Sequence, residues 1–526
     1  MHIGFPQPPP LDPDRPPTAV ARVDLYSHHI KVSQYGRPVK SALLSYCKTM
    51  GQYGLKKIGR TFQRAILRVF VGVSADRETF HFHRHQLEDL CQHLGQNGVS
   101  KNQLWFVEHP LYKPPLVEFD YKDTRIPHDY QAPIIDYIVA PGKSKVVTLD
   151  PGRGKTFIAL SAIRDLEVRV FFVIKPMYIE KWIADAKEAF NLDKTEILTI
   201  QGTKNLQKLM RLAEDGAELP KLILCSNATF YYYLKAYEEV QSRLSELGYP
   251  FPPDQFYERL GVGLRVIDEI HQDFHLNFRQ DCYTHVPKTL SLSGTLESDD
   301  RFLMRCFDIL FPTHVRFHNG PRDVYLVVDA LIYKFPEVEN RTKFINKALK
   351  TYSHIRFEQS ILRDRSLRSA YVGMICDIVQ KRFIALSEPG QKLVVYFSTV
   401  AFCTVLAEEL QKRHRTLTVT RYVSEDDYTE MLESDIIVST LKSLGTAMDV
   451  PGLRVVLMTD AVNSRQANLQ CAGRLRRLKE WPNVTPEFLY LVNADIQRHR
   501  DYHLKKLQIF RGRVLAHRET LTQYSL

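Results

Sequence analysis

The chain has 526 residues, 44% of them hydrophobic and 25% charged, with a formal charge of +11. This is too long for one ordinary core and too apolar for a disordered chain, so two or three folded domains are expected. No apolar run reaches the length of a membrane span, no basic-then-apolar leader opens the sequence, and the scattered cysteines form no Cys-x-x-Cys pair, which argues against membrane insertion, secretion, and zinc or redox motifs.

Residues 1–20 begin with the proline-crowded FPQPPPLDPDRPP and are expected to form a loose tail. Short apolar runs, AILRVFVGV (65–73) and QLWFVEH (103–109), flank a helix-like HRHQLEDLCQHL, which predicts a small α+β accessory domain over 21–114. From 115 to 325 strand-like runs alternate with amphipathic helices: SKVVTL (144–149), RVFFVI (169–174), KLILCS (221–226), LRVIDE (264–269) and Thr289–Ser293. Such alternation predicts a parallel sheet covered by helices. A charged, aromatic connector is expected over 326–370. The alternation then resumes over 371–526 with QKLVVYF (391–397), TLTVT (416–420), DIIVST (435–440), LRVVLMT (453–459) and EFLYLV (487–492), followed by a basic helix from Arg498 onward. The fold class is therefore α/β, with two parallel-sheet lobes behind a small N-terminal domain.

Three segments carry chemistry. In VVTLDPGRGKT an apolar strand runs into Gly152, Arg153, Gly154, Lys155 and Thr156, and a helical run follows. Glycines let backbone N–H groups wrap a phosphate, the helix N-terminus adds positive potential, lysine reaches the β and γ oxygens, and threonine ligates Mg²⁺. Leu149 stands where the longer pattern has a glycine. In LRVIDEIH, Asp268 and Glu269 end a buried strand; Asp268 suits Mg²⁺ and Glu269 suits an attacking water. In QANLQCAGRLRR, Gln470, Gly473, Arg474 and Arg477 follow one another, and arginines three apart share one helix face and could stabilise charge on a transferred phosphoryl group. Each segment alone has a bland reading, respectively a glycine turn, a solvated strand end and a basic helix turn. Their joint occurrence, in order and on suitable elements, predicts an ATPase.

On these residues the chain resembles superfamily 2 helicases, with tandem RecA-like lobes, over about 120–500. LDPGRGKT is similar to motif I, DEIH to the DExH form of motif II, SGT (Ser293, Gly294, Thr295) to motif III and QCAGRLRR to motif VI. HDYQ resembles the adenine-reading motif with Gln131 as reader, IKPMYIEKW resembles motif Ia, and GTAMDVP resembles motif V with Gly445 and Asp449 as nucleotide-binding landmarks. Lys175 and Met177 depart from the small or hydroxyl residues usual in motif Ia, and Arg153 is unusual within motif I. Within the superfamily the chain resembles the phage UvsW-type branched-DNA helicases, through its small N-terminal domain, ALIYKFPE (330–337) and RDRSLRSAYVGMICDIV (363–379).

The resemblance implies ATP and Mg²⁺ as cofactors, with Glu269, Lys155, Gln470, Arg474 and Arg477 catalytic and with His271, Ser293 and Thr295 coupling hydrolysis to grip. It implies remodelling of branched DNA or R-loops in recombination, repair or replication, by a monomer in the cytoplasm of a phage's host. The expected partner is DNA, single-stranded, forked or branched, with RNA also open. A Swi2/Snf2-like duplex translocase, a DExH RNA helicase and a catalytically silent clamp are the alternatives. Lys56, Lys57, Arg60, Arg64 and Arg68 are candidates for duplex contact, against the plainer reading of a solvated basic face. His81, His83 and His85 weakly suggest a metal, and Tyr231, Tyr232, Tyr233 and Tyr237 suit either base stacking or a core.

Overall fold

The computed structural model describes residues 15–526 except 60, 150–151, 295, 299, 318–323, 347–350, 424–425 and 445–449. The chain divides into two compact units, Met1–Leu296 with Asp300–Asn319, and Glu297–Asp299 with Gly320–Leu526.

The first unit opens with β1 (Ala21–Leu25), β2 (His29–Ser33), the ribbon strands β3 (Gly51–Ile58) and β4 (Thr61–Val69), then β5 (Gly72–Val73), β6 (Phe80–His83) and β7 (Leu104–Glu108). Five of these form a mixed sheet in the order β5-β6-β2-β1-β7, while β3 and β4, among the described residues, pair only with each other. Helices Arg37–Thr49 and Leu87–Gln96 bury Leu43 and Leu94 against that sheet.

Next come β8 (Ser144–Thr148), β9 (Arg169–Ile174), β10 (Ile197–Ile200), β11 (Leu222–Ser226), β12 (Val262–Ile267) and β13 (Lys288–Ser293). They form one sheet, ordered β10-β11-β9-β12-β13-β8, in which every pairing is parallel. Residues Val262 to Ile267 are all buried, as strands covered on both faces must be. The N-terminal sheet and this one share a continuous apolar core that runs from Val23 and Phe82 to Phe171 and Phe256.

A seam of histidines joins them. The Ser27 hydroxyl accepts the Val286 N–H at 3.0 Å, and His29 Nδ1 donates to the Thr284 carbonyl at 2.9 Å. His83 lies 2.5 Å from Asp281, which also receives the fully buried Arg265 guanidinium at 2.7 Å. The weak metal suggestion fails here for a structural reason: β6 ends at His83, whose Nε2 bonds Asp281, and His85, though its ring lies 4.9 Å from that of His83, bonds the Ile309 carbonyl at 2.9 Å. Among the described residues no group of three or more His, Cys, Asp or Glu is placed to hold a metal. Tyr233 and Tyr237 are core residues, and the Tyr233 hydroxyl donates to the Phe251 carbonyl.

In the second unit, β14 (Val327–Lys334), the two-residue strands β15 (Ile345–Asn346) and β16 (Thr351–Tyr352), β17 (Lys392–Phe397), β18 (Val419–Tyr422), β19 (Ile436–Thr440), β20 (Leu453–Met458), β21 (Glu487–Asn493) and β22 (Ala516–Ser525) follow. Seven form a parallel sheet, β18-β19-β17-β20-β21-β14-β22. Two expectations are corrected. Residues 327–334, read as part of a connector, are a sheet strand between β21 and β22, and the basic helix Gln497–Phe510 is followed by a final strand. No helix among the described residues is long and apolar enough to cross a membrane.

Candidate active site

The glycine-rich GRGKT segment leaves the end of β8, and the DEIH segment leaves the end of β12 two strands away, with β13 between them. Leu149 extends the β8 ladder by donating to the Ser293 carbonyl at 3.0 Å, and its side chain is buried; its position is thus a strand position, which explains the missing glycine. Gly152 and Gly154 have φ of +81° and +78°, in the left-handed region that favours glycine. At Gly154 a Cβ would also stand 2.5 Å from Gln131 Nε2. The helix Lys155–Leu166 begins directly after it and buries Ile158 to Ile163, so its first turn is fixed in the sheet's core.

Lys155 and Glu269, 114 residues apart, meet at this edge, with Nζ 2.7 Å from Oε1. Glu269 has φ of +48°, a conformation that costs a non-glycine residue about 1–3 kcal/mol. Flanking bonds hold it there: its own N–H donates to Asp268 Oδ1 at 2.9 Å, and the Ile270 N–H donates to the Leu292 carbonyl at 3.0 Å. Burial and the neighbouring Glu269 charge raise the Asp268 carboxyl above its ordinary range. His271 Nδ1 shares a 2.8 Å hydrogen bond with the Ser293 hydroxyl, and burial holds its imidazole down to about 4, so the ring is neutral at physiological pH. DEIH and the start of SGT are therefore in direct contact. Thr295 lies outside the described residues, as do Gly445 and Asp449.

Gln131 is buried and braces the loop: Oε1 accepts the His128 N–H at 3.0 Å and Nε2 donates to the Arg153 carbonyl at 3.1 Å. The Arg153 guanidinium lies over the Tyr130 ring, 3.9 Å from its centroid.

Sequence reasoning missed three side chains. Trp182 Nε1 donates to Asp268 Oδ2 at 2.9 Å, and the Tyr178 hydroxyl donates to Gln272 Oε1 at 3.1 Å. The Asp185 carboxyl, raised by burial, is partly restored by a hydrogen bond with Thr156. All three lie on the helix Pro176–Ala189. Their i, i+4, i+7 spacing was the available signal, because it puts them on one helix face.

In the second unit Gln470 lies on the helix Arg465–Ala472, which ends before the arginines. Glycine at 473 caps it, since glycine is a poor helix former. Arg474 and Arg477 thus occupy the turn and extended chain beyond, not one helix face. Arg477 is exposed and stands over the Tyr325 ring at 5.6 Å.

Two parallel sheets covered by helices, the first with a glycine loop on β8 and an acidic end on β12 across an intervening strand, define a protein with tandem RecA-like α/β lobes. No family model matches the chain, and no curated protein matches it. Among solved structures it is similar to the Pyrococcus furiosus Hef helicase domain, with 14% identity and a TM-score of 0.44, covering 72% of this chain and 98% of that one. It is also similar to a variant of S. cerevisiae Dbp5 bound to RNA and ADP BeF3, with 10% identity and a TM-score of 0.47, covering 76% of this chain and 90% of that one.

Proposed function

We propose that this chain is a nucleic-acid-stimulated ATPase of the helicase or translocase kind, acting on branched DNA. The observation that carries the reading is the Lys155–Glu269 contact at 2.7 Å. It sets a phosphate-loop lysine and a strand-end carboxylate at one sheet edge, beside the His271–Ser293 bond.

Each group then has a task. The γ-phosphate of ATP, more highly charged than a carboxylate, draws Lys155 Nζ from Glu269, and the released carboxylate orients the attacking water. Gly152, Arg153 and Gly154 turn backbone N–H groups toward phosphate, and Gln131 links that loop to the base. Asp268 and Thr156 are the residues that would hold Mg²⁺, which would supply positive charge against the phosphates. A site of two protein ligands fits a cation that keeps most of its waters, and Trp182 and Asp185 hold those two ligands in place. Gln470, Arg474 and Arg477 are assigned to charge on the transferred group, with Gly445 and Asp449 on the nucleotide. His271, Ser293 and Thr295 pass the change at Glu269 to the strand-binding surface.

The test is ATP hydrolysis by the full chain with no nucleic acid, single-stranded DNA, forked DNA and RNA, beside Glu269→Gln. The expected result is stimulation greatest with forked DNA, and a fall of about 10²–10⁴-fold in the variant. Stimulation by RNA alone overturns the DNA assignment, and no hydrolysis under any condition overturns the ATPase.

A further inference from the structure

The β3–β4 ribbon is anomalous in this fold. It is paired from Gly51↔Val69 to Ile58↔Thr61 and, among the described residues, joins no larger sheet. A lone two-stranded hairpin is marginal in water, yet this one leaves Tyr53 46%, Leu55 60%, Ile66 40% and Leu67 49% exposed. Tyr53 and Leu55 lie opposite Ile66 and Arg64 on one face. Leu67, displaced by a bulge, lies over Gly54, where a Cβ would meet it at 2.4 Å. Lys56, Arg64 and Arg68 are exposed as well.

Charge identifies the occupant. Residues 51–69 contain five basic residues, Lys56, Lys57, Arg60, Arg64 and Arg68, and no acidic one. Like charge opposes pairing with a second copy of the ribbon, whereas a polyanion releases counterions on meeting it. Shape narrows the choice. A two-stranded ribbon fits the B-DNA major groove, about 12 Å wide, but not the deep, narrow major groove of A-form RNA.

The root of the ribbon is rigid. Phe70 is fully buried, its ring centroid 6.1 Å from that of Phe274, 5.3 Å from Phe278 and 5.2 Å from Phe302. His275 Nε2 donates to the Val69 carbonyl at 3.0 Å, and Gln52 Nε2 donates to Asp300 Oδ2 at 2.7 Å. Phe274 begins the helix that follows DEIH, and Asp300 caps the helix that follows SGT.

We propose that the β3–β4 ribbon is a duplex-gripping arm: it enters the major groove of double-stranded DNA, sets Lys56, Arg64 and Arg68 on phosphates and Tyr53, Leu55 and Ile66, which share one face, against base edges, and is anchored to the segments leaving DEIH and SGT. The contacts are to backbone and apolar base surface, so sequence preference is weak. The inference rests on the nucleic-acid partner proposed above but not on hydrolysis.

The experiment compares the full chain with a Lys56→Ala/Arg64→Ala/Arg68→Ala variant by fluorescence anisotropy on a blunt DNA duplex and on a single strand of equal length, across a salt series. Circular dichroism melting checks the fold, and a second variant, Leu55→Ser/Ile66→Ser, tests the apolar contacts without altering charge. In the triple variant, duplex binding weakens by about tenfold or more and the salt slope flattens by about 2.7, for three lost phosphate contacts; single-strand binding changes little. Unchanged duplex binding, equal loss on both substrates, a wild-type preference for duplex RNA, or a self-association abolished by the serine variant each overturn the proposal. Duplex binding lost in the triple variant of a chain that hydrolyses no ATP would sink only the ATPase reading. DNA-stimulated hydrolysis with duplex binding unaffected by the triple variant would sink only the arm.

Discussion

The carboxyl edges of the two parallel sheets both carry polar clusters, and the clusters differ in kind. At the first, Lys155 and Glu269 keep 13% and 21% of their side-chain surface exposed to solvent. At the second, Glu358 is wholly buried, accepting the Ser398 N–H at 2.8 Å and the Thr399 hydroxyl at 2.6 Å, while Ser398 donates to Asp460 at 2.6 Å. The Tyr352 hydroxyl, beside it, shares hydrogen bonds with His354 and His499. One scaffold thus supports an open cluster where β8 leaves into glycines and a closed one where β17 leaves into Ser398 and Thr399. Function follows the loops, not the sheet. Breaking a closed cluster should cost stability; breaking the open one should cost the proposed hydrolysis.

The sharpest way to break that distinction lies in the other closed cluster, Arg265–Asp281–His83. Asp281→Asn leaves the Arg265 charge buried without its counter-ion, a change that costs about 3–5 kcal/mol, and urea unfolding at neutral pH measures it. Burial pushes the Asp281 carboxyl up, but the hydrogen bond from His83 and the nearby positive charge, Arg265 included, outweigh it, and the carboxyl stays below its ordinary range. Its contribution is therefore present above the unfolded aspartate value, 3.8, and is lost as pH falls below it. The variant should flatten this acid limb; wild-type-like unfolding in urea would dissolve the distinction.

Trp182→Phe keeps an aromatic ring against Phe172 but removes the donor to Asp268. A hydrogen bond to a charged group is worth about 1.5–3 kcal/mol, so hydrolysis should fall about tenfold or more while the melting midpoint barely moves. Lost stability with unchanged hydrolysis would place Trp182 among the closed contacts.

The gentlest effect per pH unit is a slope. Burial raises the Glu358 carboxyl from 4.5 to about 8 against the hydrogen bonds from Thr399 and Ser398. The folded chain then holds a proton that the unfolded chain releases, so the stabilisation is complete below pH 4.5 and is lost as pH rises toward about 8. The slope is at most about 1.4 kcal/mol per pH unit. Glu358→Gln should remove it, which chemical unfolding across that window would detect; an unchanged slope would assign the titration elsewhere.

The parallel-sheet architecture was legible because most core strands are uninterrupted apolar runs. The strands that escaped have physical reasons. In β14 a buried acid, Asp329, interrupts the run, satisfied by Arg382 at 2.8 Å and the Thr520 hydroxyl at 2.9 Å. In β22 the sequence is largely polar because it is an edge strand, and the four residues of β10 are too few for a periodicity. That GRGKT and DEIH follow strand ends was legible because an apolar, strand-like run precedes each. Tyr178, Trp182 and Asp185 were not, since the same spacing describes any amphipathic helix. Equal spacing misled at Arg474 and Arg477, where Gly473 ends the helix first.

The histidine seam makes the N-terminal sheet part of the first lobe's interior. A version shortened to begin near residue 115 would strip the cover from Phe274, Phe278 and Val286 and take His83 from Asp281. There is thus no smaller first lobe to excise: the N-terminal sheet is as much a part of its interior as the strands that carry GRGKT and DEIH.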